Sequence, residues 1–136
     1  MKTFFVDANV FLRFFTKDDR GLHQKAADLF HQAASGKITL ITGPPVLFEI
    51  AWVLRSAYKQ PQEKVLAVLT AVAAFPGLRL TDEGLVEEAI SQAKYSGREF
   101  ADAYICASVK DVQADGIATF NRKHFEKLGA DLYSFK

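Results

Sequence analysis

Four polar residues have types and places that could do chemistry, two of them at the ends of apolar runs and two inside apolar helical segments. Asp7 directly follows the dense apolar run Thr3-Phe4-Phe5-Val6. Ligands of open α/β sheets bind beyond the carboxyl ends of strands, so an acid in that place is well set for chemistry, although read alone it is better explained as a cap of the following helix. Glu49 sits within Val46-Leu47-Phe48-Glu49-Ile50-Ala51-Trp52-Val53-Leu54, where apolar residues cover most of a helix circumference, and its carboxylate is expected to face protein. A buried ionised group requires a cation, a proton or a metal, and an ion pair with Arg55 or Arg13 accounts for Glu49 as well as a metal does. Asp102 is expected in the first turn of a helix amid Phe100, Ala101, Ala103, Tyr104 and Ile105, where the positive helix end favours its charge and where Glu99 and Cys106 can share its face. Capping or dipole compensation explains it equally. Asn121 follows Ile117-Ala118-Thr119-Phe120 as Asp7 follows the first apolar run; its amide oxygen can ligate a hard cation or hold a water, and Asn is also an ordinary turn residue.

As a set, two groups at strand ends and two inside apolar helices make coincidence the weaker account. Several carboxylates in one place repel one another unless something positive joins them, and oxygen-only ligation selects Mg²⁺ or Mn²⁺.

The elements that must position these groups follow from periodicity and punctuation. Thr3 to Val6 lacks polar alternation and predicts a strand buried on both faces of a parallel sheet. Asn9 to Phe15 predicts a short helix, and Leu22 to Ala34 a second one with Ala26, Leu29, Phe30 and Ala33 on its inner face, ended by Gly36. Ile38 to Thr42 predicts a strand. Gly43-Pro44-Pro45 then turns the chain into a helix from about Val46 to Tyr58, all-round apolar and bearing Trp52. Pro61 opens a helix that stops before Pro76-Gly77, and Leu78 to Leu80 reads as a short strand. Thr81 is the expected N-cap of a helix through Leu85, Ala89, Ile90 and Ala93 that closes near Gly97; Phe100 to Val112 carries the next helix. Ile117 to Phe120 and Leu132 to Phe135 are the expected last two strands. The alternation argues for one α/β domain over residues 1–136, a central, mainly parallel sheet in a three-layer α/β/α arrangement.

Composition sets the outer bounds. At 136 residues, 49% apolar and 24% charged, the chain suits one globular core. Lys and Arg number 17 against 16 Asp and Glu, so any grip on nucleic acid must be local. Asp7, Asn9 and Arg13 break the opening apolar run before it reaches signal-peptide length, and no stretch is long enough to span a bilayer. Cys106 has no disulfide partner, which fits a cytoplasmic setting, and packing is its expected role. His23, His31 and His124 form no zinc motif and receive no ligand role.

The motifs Phe5-Val6-Asp7-Ala8-Asn9-Val10, Phe48-Glu49-Ile50-Ala51-Trp52-Val53-Leu54, Glu99-Phe100-Ala101-Asp102-Ala103 and Ala118-Thr119-Phe120-Asn121 follow one another across nearly the whole chain. In that order they resemble the PIN-domain family, in particular the toxin ribonucleases of VapBC-type toxin–antitoxin pairs. The resemblance implies that Asp7, Glu49 and Asp102 are the core acids of a Mg²⁺- or Mn²⁺-dependent endoribonuclease, with Asn9 and Thr119 in support. It also implies that Glu99 stands for a further Asp, keeping the charge on a longer arm. Asn121 replaces a common Asp, which removes one charge from a second metal position. In such a site metal polarises the scissile phosphate and activates a water for in-line attack, with Glu49 or Asp102 taking the proton. Arg13, Arg122 and Lys123 are the candidates for RNA phosphate, with Arg98 and Lys110 behind them, and Arg13 can equally neutralise the acids.

The resemblance further implies a homodimer and a small DNA-binding antitoxin whose segment lies across an apolar groove, for which the Phe11, Leu12, Phe14, Phe15 cluster and the Trp52 helix offer surface beyond one core stripe. Two other functions compete. One is a phosphoryl-transfer domain with Asp7 as acceptor, which the lack of a second acid in Asp7-Ala8-Asn9 disfavours; the other is an interaction module that Asn121 has disabled.

Overall fold

The structure is a computed structural model and describes residues 1–135. By its contacts the chain divides into two compact units, Met1–Glu83 and Gly84–Lys136.

The first unit holds a parallel sheet in the order β1 (Thr3–Phe5), β2 (Thr39–Thr42), β3 (Leu78–Leu80). Parallel neighbours need long crossovers, and helices supply them. α1 (Ala8–Thr16) and α2 (Arg20–Ala34) join β1 to β2, while α3 (Pro44–Ser56) and α4 (Gln62–Ala73) join β2 to β3. The α/β class with helices flanking a parallel sheet is the one expected. The first apolar run departs from expectation in its burial: Thr3, Phe4 and Phe5 are all exposed. The physical reason is position, since β1 is an edge strand of this sheet and, among the described residues, pairs with β2 alone. Val6, just beyond it, is buried.

Where β1 ends is fixed by two bonds. The Val6 N–H donates to the Ile41 carbonyl at 2.8 Å, and the fully buried Thr42 hydroxyl donates to the Val6 carbonyl at 3.0 Å. Beside them the Thr81 N–H donates to the Thr42 carbonyl, and the Thr81 hydroxyl occupies the space over Gly43. A Cβ at Gly43 would stand 2.2 Å from that oxygen, so any larger residue there would displace the Thr81 hydroxyl. Thr81 is therefore a packing residue of the sheet edge and not the expected N-cap. Asp82, at φ +53°, intervenes before α5 (Glu83–Ser96) begins.

The Phe11, Phe14, Phe15 cluster is used inside this unit. Phe11 is buried and stacks on Phe30 of α2, Phe30 stacks on Phe75 at 4.6 Å, and Phe14 meets both rings edge-on. On α3 the buried side chains Val46, Leu47, Ile50 and Leu54 mark one face. Glu49 and Trp52, three residues apart, lie together on the opposite, exposed face, and Trp52 is 71% exposed. The all-round apolar helix of the sequence thus has one core face.

In the second unit α5 buries Val86, Ala89, Ile90 and Ala93, and α6 (Phe100–Asp111) buries Phe100, Ala103 and Ala107. Beyond them the two expected strands are reduced to one parallel bridge, Ile117 with Leu132. Its bonds run from Ile117 N–H to the Asp131 carbonyl and from Tyr133 N–H to the Ile117 carbonyl, both 2.8 Å. The reason lies in Thr119: its hydroxyl accepts from the Asn121 N–H at 3.0 Å and turns the chain before a ladder can continue. α7 (Lys123–Glu126), which no periodicity announced, follows that turn and anchors itself with buried Phe125.

Thr42→Val keeps the shape and removes the donor that completes the β1–β2 ladder. Thermal unfolding should show a loss of about 1–3 kcal/mol, the cost of leaving a buried carbonyl unpaired; an unchanged melting temperature would show that the bond does not fix the strand end.

Candidate active site

Asp7 stands where β1 gives way to α1, because the Thr42–Val6 bond ends the strand one residue earlier. It is the N-cap of α1: the Ala8 N–H donates to Asp7 Oδ1 at 2.8 Å, so the capping role is formed. The side chain is nonetheless exposed, and its second carboxylate oxygen makes no hydrogen bond among the described residues. Asn9 is exposed on the same first turn.

Arg13, weighed as a phosphate grip or as neutraliser of the acids, is engaged elsewhere. Its Nη1 meets Asp18 Oδ1 at 3.1 Å, and both side chains are about two-fifths exposed, at 41% and 40%. Asp18 also accepts from the Tyr58 hydroxyl at 2.6 Å and from the Thr16 hydroxyl at 3.0 Å. The Tyr58 bond, then the Thr16 bond, and last the bond and charge of Arg13 hold the Asp18 carboxyl below its ordinary 3.8, against an opposing push from burial. His23 is spent on the end of α1, with Nδ1 3.0 Å from the Phe14 carbonyl.

Glu49 corrects an expectation. It lies on the exposed face of α3, and Arg13, one of the two cations considered for it, pairs with Asp18 instead. The apolar residues around it in sequence divide between two faces, and a helix with this periodicity buries only one of them.

In the second unit Asp102 is in the first turn of α6 as expected, with its side chain 17% exposed. Glu99 is the N-cap residue of the same helix, with no side-chain capping bond, and is exposed. Cys106, one turn after Asp102, is a free thiol pushed up from its ordinary value by burial and next by the Asp102 charge. Their four-residue spacing sets the two side chains on one face of α6.

A contact that sequence reasoning missed involves His124 of α7, whose Nδ1 lies 3.4 Å from Asp102 Oδ2. The signal available was spacing, because His124 follows Asn121 by one helical turn and its N–H donates to the Asn121 carbonyl at 3.1 Å. Asn121 itself is exposed and takes the turn role, held by Thr119. Arg122 and Lys123 are exposed and make no side-chain hydrogen bond or ion pair among the described residues. Lys110 lies 3.9 Å from Glu88.

The acidic donors are right in kind for a hard divalent ion, being carboxylate oxygens, and Asp7 has one to spare. In number they fall short: among the described residues no three His, Cys, Asp or Glu side chains come together so as to hold a metal ion. Asp7 and Glu49 belong to the first unit, Glu99 and Asp102 to the second.

A family model described as "PIN domain" matches residues 4–131 of the chain. No curated protein matches it.

The Asp18 cluster makes a pH-dependent contribution whose sign is fixed. A carboxyl held low in the folded state stabilises fully above its unfolded value, about 3.9, and loses that contribution as pH falls through the folded value. Melting curves should therefore separate wild type from Asp18→Asn near neutral pH and converge in acid. A gap that stays constant down to strongly acidic pH would show that the charge contributes nothing.

Proposed function

This chain belongs to the PIN-domain family, and from that premise we propose that it is a Mg²⁺- or Mn²⁺-dependent endoribonuclease, the VapC-type toxin of a type II toxin–antitoxin pair. PIN domains are generally nucleases, so the family match over residues 4–131 is the observation that carries the reading. Asp7 directly after β1 and Asp102 in the first turn of α6, mostly shielded from solvent, support it. Asp7, Glu49 and Asp102 are the acids the activity needs, Glu99 a further carboxylate, and Asn9, Thr119 and Asn121 the supporting polar groups. A divalent ion supplies such a reaction with Lewis acidity toward the phosphate and a water of lowered pKa.

The chain's own residues have narrower tasks. Asp7 commits one carboxylate oxygen to capping α1, which leaves the other without a hydrogen bond among the described residues. The His124 ring stands 3.4 Å from Asp102 Oδ2, and Thr119 fixes the Asn121 turn. Arg122 and Lys123 offer two exposed cations beside Asn121 for RNA phosphates, in a chain whose net charge of +1 gives no general attraction. Arg13, paired with Asp18, reaches phosphate only by giving up that pair. The proposal includes a homodimer, a small DNA-binding antitoxin as partner, and cytoplasmic action. Among the described residues no helix is long and apolar enough to cross a membrane.

Purified protein free of partner should cleave structured RNA with Mg²⁺ or Mn²⁺ and stop with EDTA. Asp7→Asn and Asp102→Asn should each lower the cleavage rate by about a hundredfold or more, the scale on which removing a charge-stabilising group acts. The melting temperature of Asp7→Asn should hardly move, because Asn caps a helix as well as Asp does, and that of Asp102→Asn should not fall greatly, because the substitution removes a charge that repels the other carboxylates. Identical products from wild type and Asp7→Asn would assign the cleavage to a contaminant and overturn the mechanism; no cleavage by wild type would leave an interaction module disabled at Asn121.

A further inference from the structure

The second unit carries an exposed aromatic cluster that its core does not use. Phe120 is 86% exposed, Tyr133 57% and Phe135 50%. Their rings are nevertheless ordered against each other. Phe120 and Phe135 stack with centroids 4.5 Å apart and planes 24° apart, and Tyr133 meets Phe135 edge-on at 5.1 Å. The parallel bridge between Ile117 and Leu132 brings the two segments side by side, which is why residues so distant in sequence stack. With one face of Phe120 on Phe135 and the residue this exposed, its other face is open to solvent.

Burying exposed rings is favourable, and monomeric surfaces seldom show several contiguous ones without a use. The chemistry of the neighbours decides which use. Asn121, Arg122 and Lys123 follow Phe120 without a break, all exposed, and the two cations make no side-chain hydrogen bond or ion pair among the described residues. A planar stack with an open face, bordered by cations, matches a nucleobase and the phosphate attached to it. An apolar protein segment would match the rings and leave the cations without partners. In a duplex both faces of each base are already stacked, so the fitting base is an unpaired one.

We propose that Phe120, backed by Phe135 and Tyr133, is a stacking platform that seats an unpaired nucleotide of single-stranded RNA, with Arg122 and Lys123 holding its phosphate. The platform deepens the nuclease reading by specifying the form of its substrate. It requires no metal and no cleavage, so the two can fail separately.

The test is binding by the full chain in EDTA, followed by fluorescence anisotropy of a short, labelled, mixed-sequence oligoribonucleotide. Phe120→Ala should weaken the single strand roughly tenfold or more, within the range of one lost base–aromatic stack. Phe120→Tyr should restore the affinity, and Phe120→Leu, apolar but without a π face, should not. The same sequence annealed into a duplex should bind more weakly than the single strand, and Arg122→Ala should weaken the single strand while reducing the salt dependence of binding. At 86% exposure the Phe120 variants should fold, which circular dichroism melting verifies. Equal affinity of wild type and Phe120→Ala, full rescue by leucine, or equal binding of the duplex would each overturn the platform. So would a wild type that dimerises and a Phe120→Ala that is monomeric with RNA affinity unchanged, because the patch would then be a protein interface. Tight binding through Phe120 with no cleavage on adding Mg²⁺ would support the platform and sink the nuclease reading alone.

Discussion

The Thr42 hydroxyl, fully buried, donates to the Val6 carbonyl and so completes the pairing of two parallel strands at their carboxyl ends. A buried backbone carbonyl must find a donor, and here the neighbouring strand supplies it from a side chain. Because the ladder finishes at Val6, the next residue leaves the sheet, and it is Asp7 that turns to cap α1. The same corner sets Gly43 and Thr81 in close approach, so β2 and β3 end together and α3 starts directly from Gly43. The placement of the first acid is thus a consequence of how a short parallel sheet satisfies its last polar groups.

The acids differ in what surrounds them, and the difference is one of helix face. α3 buries Val46, Leu47, Ile50 and Leu54 and turns Glu49 and Trp52 to the other side, whereas α6 buries Phe100, Ala103 and Ala107 and keeps Asp102 close enough to that core to be mostly shielded. A shielded carboxylate is felt by its neighbours. The Asp102 charge is one reason the Cys106 thiol stays protonated, and His124 is drawn to the same carboxylate from α7. Glu49 lies exposed on its helix.

Cations follow a similar division. Arg13 is committed to the Asp18 cluster, where Tyr58 and Thr16 contribute more than the arginine does, so the end of α1 is tied to the end of α3 by an exposed polar knot. Arg122 and Lys123 are uncommitted among the described residues and stand next to the aromatic stack. In a chain with nearly balanced charge, such local arrangement decides which surface can attract phosphate.

Much of this was legible in the sequence because local signals are short-range. Apolar spacing on α2 and α4, the Gly43-Pro44-Pro45 start of α3, Gly97 after α5 and the first-turn place of Asp102 depend only on residues within a few turns of one another, and the ordered acidic motifs indicated the family that the match over residues 4–131 shows. Exposure was not legible. Thr3 to Val6 reads the same whether a strand is central or at an edge, and only the sheet order makes β1 an edge with Phe4 and Phe5 in solvent. Nor could periodicity tell which face of an apolar helix is buried, or foresee that Thr119 would turn the chain where a strand was expected. Sequence by itself determined most of the element types and the family, since each is written in neighbouring residues. The tertiary structure decided burial, the Arg13–Asp18 and Asp102–His124 pairings and the Phe120–Phe135 stack, because these arise between segments whose meeting no local preference encodes.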